Sequence, residues 1–254
     1  MLEARHLTKC YSAVPAVQDV SFCLKKGQVL GCLGPNGSGK STTVKMLIGL
    51  LDPTRGEILY GGRNIREDLM EYRRHLGYVP EEPHLYSYLT GEEYLDLVGT
   101  LRGMNKRVLG KKIPAFLDFF SLYPHCHSAI GSYSKGMRQR ILLISALLDN
   151  PEVLVFDEPL SGLDVTSALI FKNLIQTFGQ QGKIVFYCSH VLEVVEKVCS
   201  HLLILRKGIV LANDSLGGVH EMAGQSLEGT FFKLVEDVDT QKIAHDIFEL
   251  MSAA

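Results

Sequence analysis

The sequence predicts an α/β protein built on a mostly parallel sheet, with an antiparallel β side sheet and a helical insertion. Three observations lead there. Short apolar runs alternate with segments of helical periodicity in 28–51 and again in 153–211, the pattern of strands joined by helical crossovers. The two strand-like runs at 3–8 and 16–24 have no helix between them and read as an antiparallel pair. From about 84 to 148 strand signals vanish and three helix signatures follow one another.

Each element has its own local reason. Residues 3–8 and 16–24 alternate loosely between apolar and polar side chains around a turn that holds Tyr11. An aromatic there is a packing residue or a platform for a stacked base, and position alone does not choose. Gln28 to Leu33 is short and mostly apolar, as a buried strand is. Ser41 to Leu51 carries Val44, Met46, Leu47, Leu50 and Leu51 at helical spacing, and Asp52-Pro53 breaks it. Glu57 to Tyr60 is a strand closed by Gly61-Gly62, a helix near Ile65 to His75 follows, and Leu76 to Val79 is a further strand.

After the hinge-like Pro80-Glu81-Glu82-Pro83, Thr90 and Glu93 form a capping box. Tyr94, Leu95, Leu97, Val98 and Leu101 make the stripe of the helix it opens. Further helices are expected over Val108 to Leu122 and Ser134 to Leu148, the latter stopped by Asp149-Asn150-Pro151. Then come a strand at Val153 to Phe156, a helix at Asp164 to Phe178, a strand at Ile184 to Cys188 and a helix at His190 to Val198. Leu202 to Leu205 and Ile209 to Leu211 form a hairpin about Lys207-Gly208. Beyond Asn213 the character changes. A short helix is expected at 226–234, and a second at 240–251 places Ile243, Ala244, Ile247, Phe248 and Met251 on one face. That face needs a partner, most simply the body of the same chain.

Composition narrows the function. A net charge of −2 supplies no global basic field for nucleic acid. No apolar run approaches the ~20 residues that span a bilayer, the longest being Ile141 to Leu148, which contains Ser145. The N-terminus shows no signal-peptide pattern. The six cysteines are scattered without a C-x-x-C, which favours reduced thiols over a metal framework. His125 and His127 flank Cys126 and offer chelating atoms, but a solvated loop is the preferred reading.

The chemistry concentrates in Gly34-Pro35-Asn36-Gly37-Ser38-Gly39-Lys40-Ser41-Thr42, which fits the phosphate-binding loop G-x-x-x-x-G-K-[ST] between a strand and a helix. Glycines let backbone N–H groups approach phosphate oxygens, and the positive end of the next helix adds to the attraction. Lys40 is expected to reach the β- and γ-phosphates and the Ser41 hydroxyl to ligate Mg²⁺. The bland alternative is a glycine-rich turn capped by Ser41. Val153-Leu154-Val155-Phe156-Asp157-Glu158 is the second signal, a buried strand that delivers two carboxylates to its C-terminal end, where open α/β sheets place their sites. Asp157 would hold the metal's shell and Glu158 would polarise an attacking water.

With both motifs in this order, residues 1–235 resemble the ATP-binding cassette ATPases, the motor subunits of membrane transporters, on a phosphate-loop NTPase core. Gly34 to Ser41 looks like Walker A, Val153 to Asp157 like Walker B, and Glu158 matches the catalytic glutamate. Tyr11 falls where the family's adenine-stacking aromatic lies. Tyr133-Ser134-Lys135-Gly136-Met137 occupies the place of the signature L-S-G-G-Q, Ser161-Gly162-Leu163-Asp164 is similar to the D-loop, and Ser189-His190 resembles the switch histidine. Two departures stand out. Glu81 replaces the usual glutamine, which keeps an oxygen ligand for Mg²⁺ but adds charge near the γ-phosphate. Lys135 and Met137 stand where glycine and glutamine are common.

The resemblance implies a protein that binds and hydrolyses ATP with Mg²⁺. Two MgATP would lie between paired cassettes, homodimeric or heterodimeric, each site using one chain's phosphate loop and the other's signature. It also implies a separate integral-membrane permease of the ABC-2 exporter-like type, a peripheral position on the cytoplasmic face of the membrane, and no nucleic-acid partner. The helical subdomain would cover about 84–148, and 236–254 would be a C-terminal tail. In the loop after Glu81, Leu85, Tyr86, Tyr88 and Leu89 offer a surface for the permease. The runner-up is a soluble cassette ATPase acting on nucleic acid or ribosomes, though such chains carry two cassettes or a long coiled coil. A small-molecule phosphotransferase would have no use for the signature.

Overall fold

The computed structural model describes residues 1–223 together with Gly229, Phe231, Ile247, Phe248, Leu250 and Met251. Its elements run β1 (Leu2–Cys10), β2 (Pro15–Leu24), β3 (Val29–Leu33), α1 (Lys40–Leu47), β4 (Arg55–Tyr60), β5 (Arg63–Asn64), α2 (Leu69–Arg74) and β6 (Leu76–Val79). Three helices follow, α3 (Gly91–Leu101), α4 (Lys106–Phe119) and α5 (Lys135–Leu147). The chain continues with β7 (Val153–Asp157), α6 (Val165–Gln180), β8 (Ile184–Cys188), α7 (Leu192–Val198), β9 (His201–Arg206), β10 (Ile209–Ser215) and α8 (Leu216–Ala223).

The strands form two sheets. A six-stranded sheet has the order β10-β9-β3-β8-β7-β6, parallel except for β10, and a four-stranded antiparallel sheet has the order β2-β1-β4-β5. Every residue of β3, β7 and β8 is buried, because a parallel sheet is covered on both faces. Alternation then sorts the side chains. Leu154, Phe156, Val185 and Tyr187 join the core under α3–α7, while Val153, Val155, Ile184 and Phe186 join the core under α1 and the side sheet. Phe156 meets Phe171 of α6 edge-on at 5.0 Å, and Phe22 of β2 meets Phe186 at 5.5 Å. The parallel sheet is therefore the middle layer, and its strand ends cannot tilt without disturbing aromatic contacts on both sides.

Register brings the chemistry together. Cys32 pairs with Cys188, and Cys188 pairs with Asp157, so the C-terminal ends of β3, β8 and β7 lie side by side. Whatever follows each strand shares one rim.

Between β6 and β7 the expected capping box forms: the Glu93 N–H donates to Thr90 Oγ1 at 3.1 Å and the Thr90 N–H to Glu93 Oε2 at 2.8 Å. The loop entering α5 is zipped to the loop entering α3, with the Ile130 N–H on the Leu89 carbonyl and the Gly131 N–H on the Ser87 carbonyl, both at 2.8 Å.

Several boundaries differ from expectation. α1 ends at Leu47 rather than Leu51, because the Lys45 carbonyl accepts the N–H groups of both Leu50 and Leu51 and Gly49 turns with φ 70°. α4 starts at Lys106, two residues early, where the Asn105 side chain caps the Arg107 N–H at 2.8 Å. α2 covers only Leu69–Arg74, behind the unanticipated β5. α8 was also unanticipated; Ser215 Oγ accepts the Gly218 N–H at 3.0 Å, and the Gly217-Gly218 pair hides the helix from propensity. The expected helices at 226–234 and 240–251 lie outside the described residues, isolated positions apart. Ile247, Phe248 and Met251 are described and exposed, so the expected burial of that face is not met at these three.

Candidate nucleotide site

The loop leaving β3 closes over its own helix. Gly39 sits immediately before α1 with φ 106°, and an added Cβ would press on the Ala16 carbonyl at 2.7 Å. Only glycine takes this conformation at no steric cost. α1 therefore has no side-chain cap, which leaves its first N–H groups open to an anion. Outside support comes from the β9–β10 turn, where the Gly208 N–H donates to the Ser38 carbonyl at 3.0 Å and the Gly208 carbonyl accepts the Gln18 N–H at 2.7 Å. Lys40 is folded into the loop, its Nζ donating to the Gly34 carbonyl at 2.6 Å and the Pro35 carbonyl at 3.2 Å. Ser38 Oγ is buried with no hydrogen-bond partner. An orphaned hydroxyl among open N–H groups is what a phosphate oxygen would satisfy.

A cavity of about 540 Å³ is lined by every residue from Gly34 to Thr42, with Ala16, Glu81, Asp157, Glu158 and His190. Four separate stretches thus supply the expected phosphate-loop, metal and catalytic residues to one space. Asp157 ends β7 only 5% exposed. Burial, then the charges of Glu81 and Glu158, push its carboxyl up from 3.8 to about 6, with Lys40 and Lys45 pulling the other way. Three carboxylates and the Ser41 hydroxyl among the lining residues are hard oxygen donors with surplus negative charge, which fits Mg²⁺.

Glu158 departs from regular backbone. Its φ is 48°, left-handed for a residue with a Cβ, at a cost of the order of 1–3 kcal/mol. The conformation is held by the Glu158 N–H on the Cys188 carbonyl at 3.0 Å. Its Oε1 lies 2.8 Å from His190 Nδ1, and Ser189 Oγ donates to Oε2 at 3.3 Å. Ser189 is 2% exposed and carries the Val191 N–H on the same oxygen at 3.1 Å. Its hold on Glu158 was missed from sequence, since nothing in a Ser-His pair announces it.

Other expected site residues lie elsewhere. Tyr11 is 63% exposed in the β1–β2 turn, with Lys9 Nζ 5.7 Å from its ring centre, and it does not line the cavity. Ser134 is the N-cap of α5, its Oγ accepting the Met137 N–H at 3.2 Å, and it too is exposed outside the cavity. Lys135 Nζ donates to Ser161 Oγ of the same chain at 2.9 Å. A Cβ on Gly136 would collide with the Gly162 carbonyl, so glycine is required for the start of α5 to touch this loop. Leu163 packs partly buried on the core, and Asp164 caps α6 through the Ser167 N–H at 2.9 Å, a bond that holds its carboxyl below the usual range. Ser134–Met137 and Ser161–Asp164 therefore form one contiguous patch, and Ser161 follows Glu158 by three residues.

The family described as ABC transporter matches residues 17–161, more than half the chain. The chain belongs to the ABC transporter family. EcsA, an ABC-type transporter ATP-binding protein of Bacillus subtilis (strain 168), is 32% identical over 240 residues, covering 93% of this chain and 97% of that one. A solved ATP-binding subunit of an ABC transporter has a TM-score of 0.87 at 32% identity, covering 92% of this chain and 99% of that one. The dimeric post-hydrolysis structure of the ATP-binding cassette MJ0796, bound to ADP and Pi, has a TM-score of 0.78 at 25% identity, covering 85% and 99%. The expected phosphate-loop NTPase core, with parallel sheet, antiparallel side sheet and helices, is the fold these cassettes share.

Proposed function

We propose that this chain hydrolyses ATP as one of two paired cassettes and drives a separate integral-membrane permease. One observation carries the reading: phosphate loop, Asp157, Glu158 and His190 share a cavity, while Ser134 at the start of α5 is displayed outside it. The cavity holds what is needed to grip phosphates and activate water. The exposed helix start, where Ser134 Oγ caps only the Met137 N–H, would offer its remaining N–H groups to an anion held by another chain. A second cassette, inverted, would bring each Ser134 patch to the other's cavity.

Within such a pair the residues take distinct parts. The phosphate-loop N–H groups and Ser38 Oγ hold the β- and γ-phosphates, and Lys40 exchanges its carbonyl partners for phosphate oxygens. Ser41, Asp157 and Glu81 would hold Mg²⁺, which when bound offsets phosphate charge during transfer. Glu158 orients the attacking water and accepts its proton, and His190, already paired with Glu158, turns toward the γ-phosphate. Thr42 lines the cavity beside Ser41. Tyr11 reaches a base only if the turn closes over it. The two carbonyls now on Lys40 indicate a loop partly satisfied by its own cation, so nucleotide entry begins by displacing those bonds.

The D-loop contacts make the seam chemically useful. Gln139 of α5 donates to the Pro159 carbonyl at 3.2 Å, so α5 is tied directly beside Glu158. Docking a phosphate on Ser134 therefore acts on the backbone that holds the water-activating carboxylate.

The complex would be exporter-like and lie at the cytoplasmic face of the membrane; relatives named as transporter ATP-binding proteins support the transporter part of this reading, and among the described residues no helix is long and apolar enough to cross a membrane. Tyr86 and Tyr88, 53% and 74% exposed with rings 5.9 Å apart, are offered to the permease. Residues 1–235 would be the motor and 236–254 an appended tail. The test is the ATPase rate of Glu158→Gln in the assembled complex. Loss of turnover with retained ATP binding supports the reading, and near-normal turnover overturns it.

A further inference from the structure

We propose that Glu92, Cys126 and His127 form a transition-metal site of the zinc type, which pins the loop leading to Ser134 onto the start of α3. One ligand atom from each residue lies within 4.8 Å of the others. His127 Nδ1 and Glu92 Oε2 are already 3.4 Å apart. A tetrahedral zinc with bonds of about 2.0–2.3 Å separates its ligand atoms by about 3.3–3.8 Å, so this edge has a metal-bound length and the thiol needs to close by at most about 1.5 Å.

The donor set decides the metal class. Thiolate, imidazole and carboxylate together suit Zn²⁺ or Co²⁺, whereas Mg²⁺ and Ca²⁺ take oxygen alone. Cys126 is buried, 5% exposed, while Glu92 and His127 lie on the surface above it and retain rotamer freedom to close. Glu92 and His127 also line a cavity of about 530 Å³ with Glu93, Asp96 and Lys106, three carboxylates against one ammonium, a net negative field that favours a cation. Three protein ligands leave a fourth position for water.

The backbone around the cluster is already organised. The Glu92 N–H donates to the Cys126 carbonyl at 3.3 Å, and Tyr133 Oη donates to the His125 carbonyl at 2.6 Å. Tyr133 immediately precedes Ser134, so residues 125–133 form a closed strap whose far end sets the signature serine. A metal at its near end would couple that strap to α3, and through Ser87 and Leu89 to the loop after Glu81.

The test is a Co²⁺ titration of the full-length chain, reduced and nucleotide-free, followed in the near ultraviolet. A thiolate-to-cobalt charge-transfer band saturating at one equivalent is expected, together with a higher unfolding midpoint in Zn²⁺. Cys126→Ser removes the band. His127→Ala, at an exposed position that does not threaten the fold, weakens affinity by about tenfold or more, as does Glu92→Gln. Asp157→Asn leaves the band intact, which separates this site from the nucleotide cavity. No band in the wild type, or a band unchanged in both Cys126→Ser and His127→Ala, reduces the cluster to a surface ion pair and overturns the proposal.

Discussion

Asp157→Asn should make the nucleotide-free protein more stable while ending its response to MgATP. The Asp157 carboxyl is raised from 3.8 to about 6, chiefly by burial and then by Glu81 and Glu158. A shift of about 2 units corresponds to about 3 kcal/mol of cost for keeping the group ionised in the folded state at neutral pH. The sign follows from proton binding. Between about pH 4 and 6 the folded chain holds more protons than the unfolded one, so wild-type stability is highest below the unfolded value and falls as pH rises through the folded value. Asparagine keeps the volume and removes the charge. In chelator at pH 7.5 the variant should gain about 2–3 kcal/mol, or about 4–12 °C in midpoint at about 2–4 °C per kcal/mol. The gain should shrink toward zero near pH 4. With Mg²⁺ and ATP the order should invert, since only the wild type keeps the buried Asp157 carboxylate beside Glu81 as a ligand. Thermal unfolding at several pH values, with and without MgATP, measures all of this. A variant less stable than wild type in chelator at pH 7.5, or a difference indifferent to pH, refutes the assignment of Asp157 as a strained, cation-seeking carboxylate.

Other expectations follow from single contacts. Ser38→Ala removes a buried hydroxyl that has no partner, so the free protein should keep its stability within about 1 kcal/mol while ATP affinity falls, as equilibrium nucleotide titration would show. Gly136→Ala drives a Cβ into the Gly162 carbonyl and should cost about 1–3 kcal/mol in urea unfolding; it should depress turnover more than nucleotide binding, because the contact lies outside the cavity. Phe156→Ala opens a hole beneath the strand that ends in Asp157 and should cost about 3–5 kcal/mol in the same assay.

Legibility tracked whether a feature is written in adjacent letters. Gly34 to Ser41 and Asp157-Glu158 were readable because a phosphate cradle and a metal-facing strand end each need contiguous residue types, with helix or strand periodicity beside them. The Thr90–Glu93 box was readable for the same reason. The insertion of β3 between β9 and β8 was not, since strand order is decided by packing between segments distant in the chain. Nor could sequence show that Lys135 reaches Ser161, or that Glu158 is left-handed. Those facts depend on Gly136 meeting Gly162 and on the Cys188 carbonyl holding the Glu158 N–H, contacts between segments 26 residues or more apart. For Tyr11 sequence offers only its position, and the structure leaves it exposed beside Lys9 in the turn that leads to the cavity-lining Ala16.

On the proposed function, another chain's Ser134 patch completes the nucleotide cavity. Sedimentation of Glu158→Gln with and without MgATP, beside the double variant Glu158→Gln, Ser134→Arg, tests it most directly. Paired cassettes with MgATP, and single ones when ATP is omitted or Ser134 is replaced, are the predicted result. A hydrolysis-blocked chain that binds MgATP tightly yet sediments as a single cassette, even when assembled with its permease, would contradict the account.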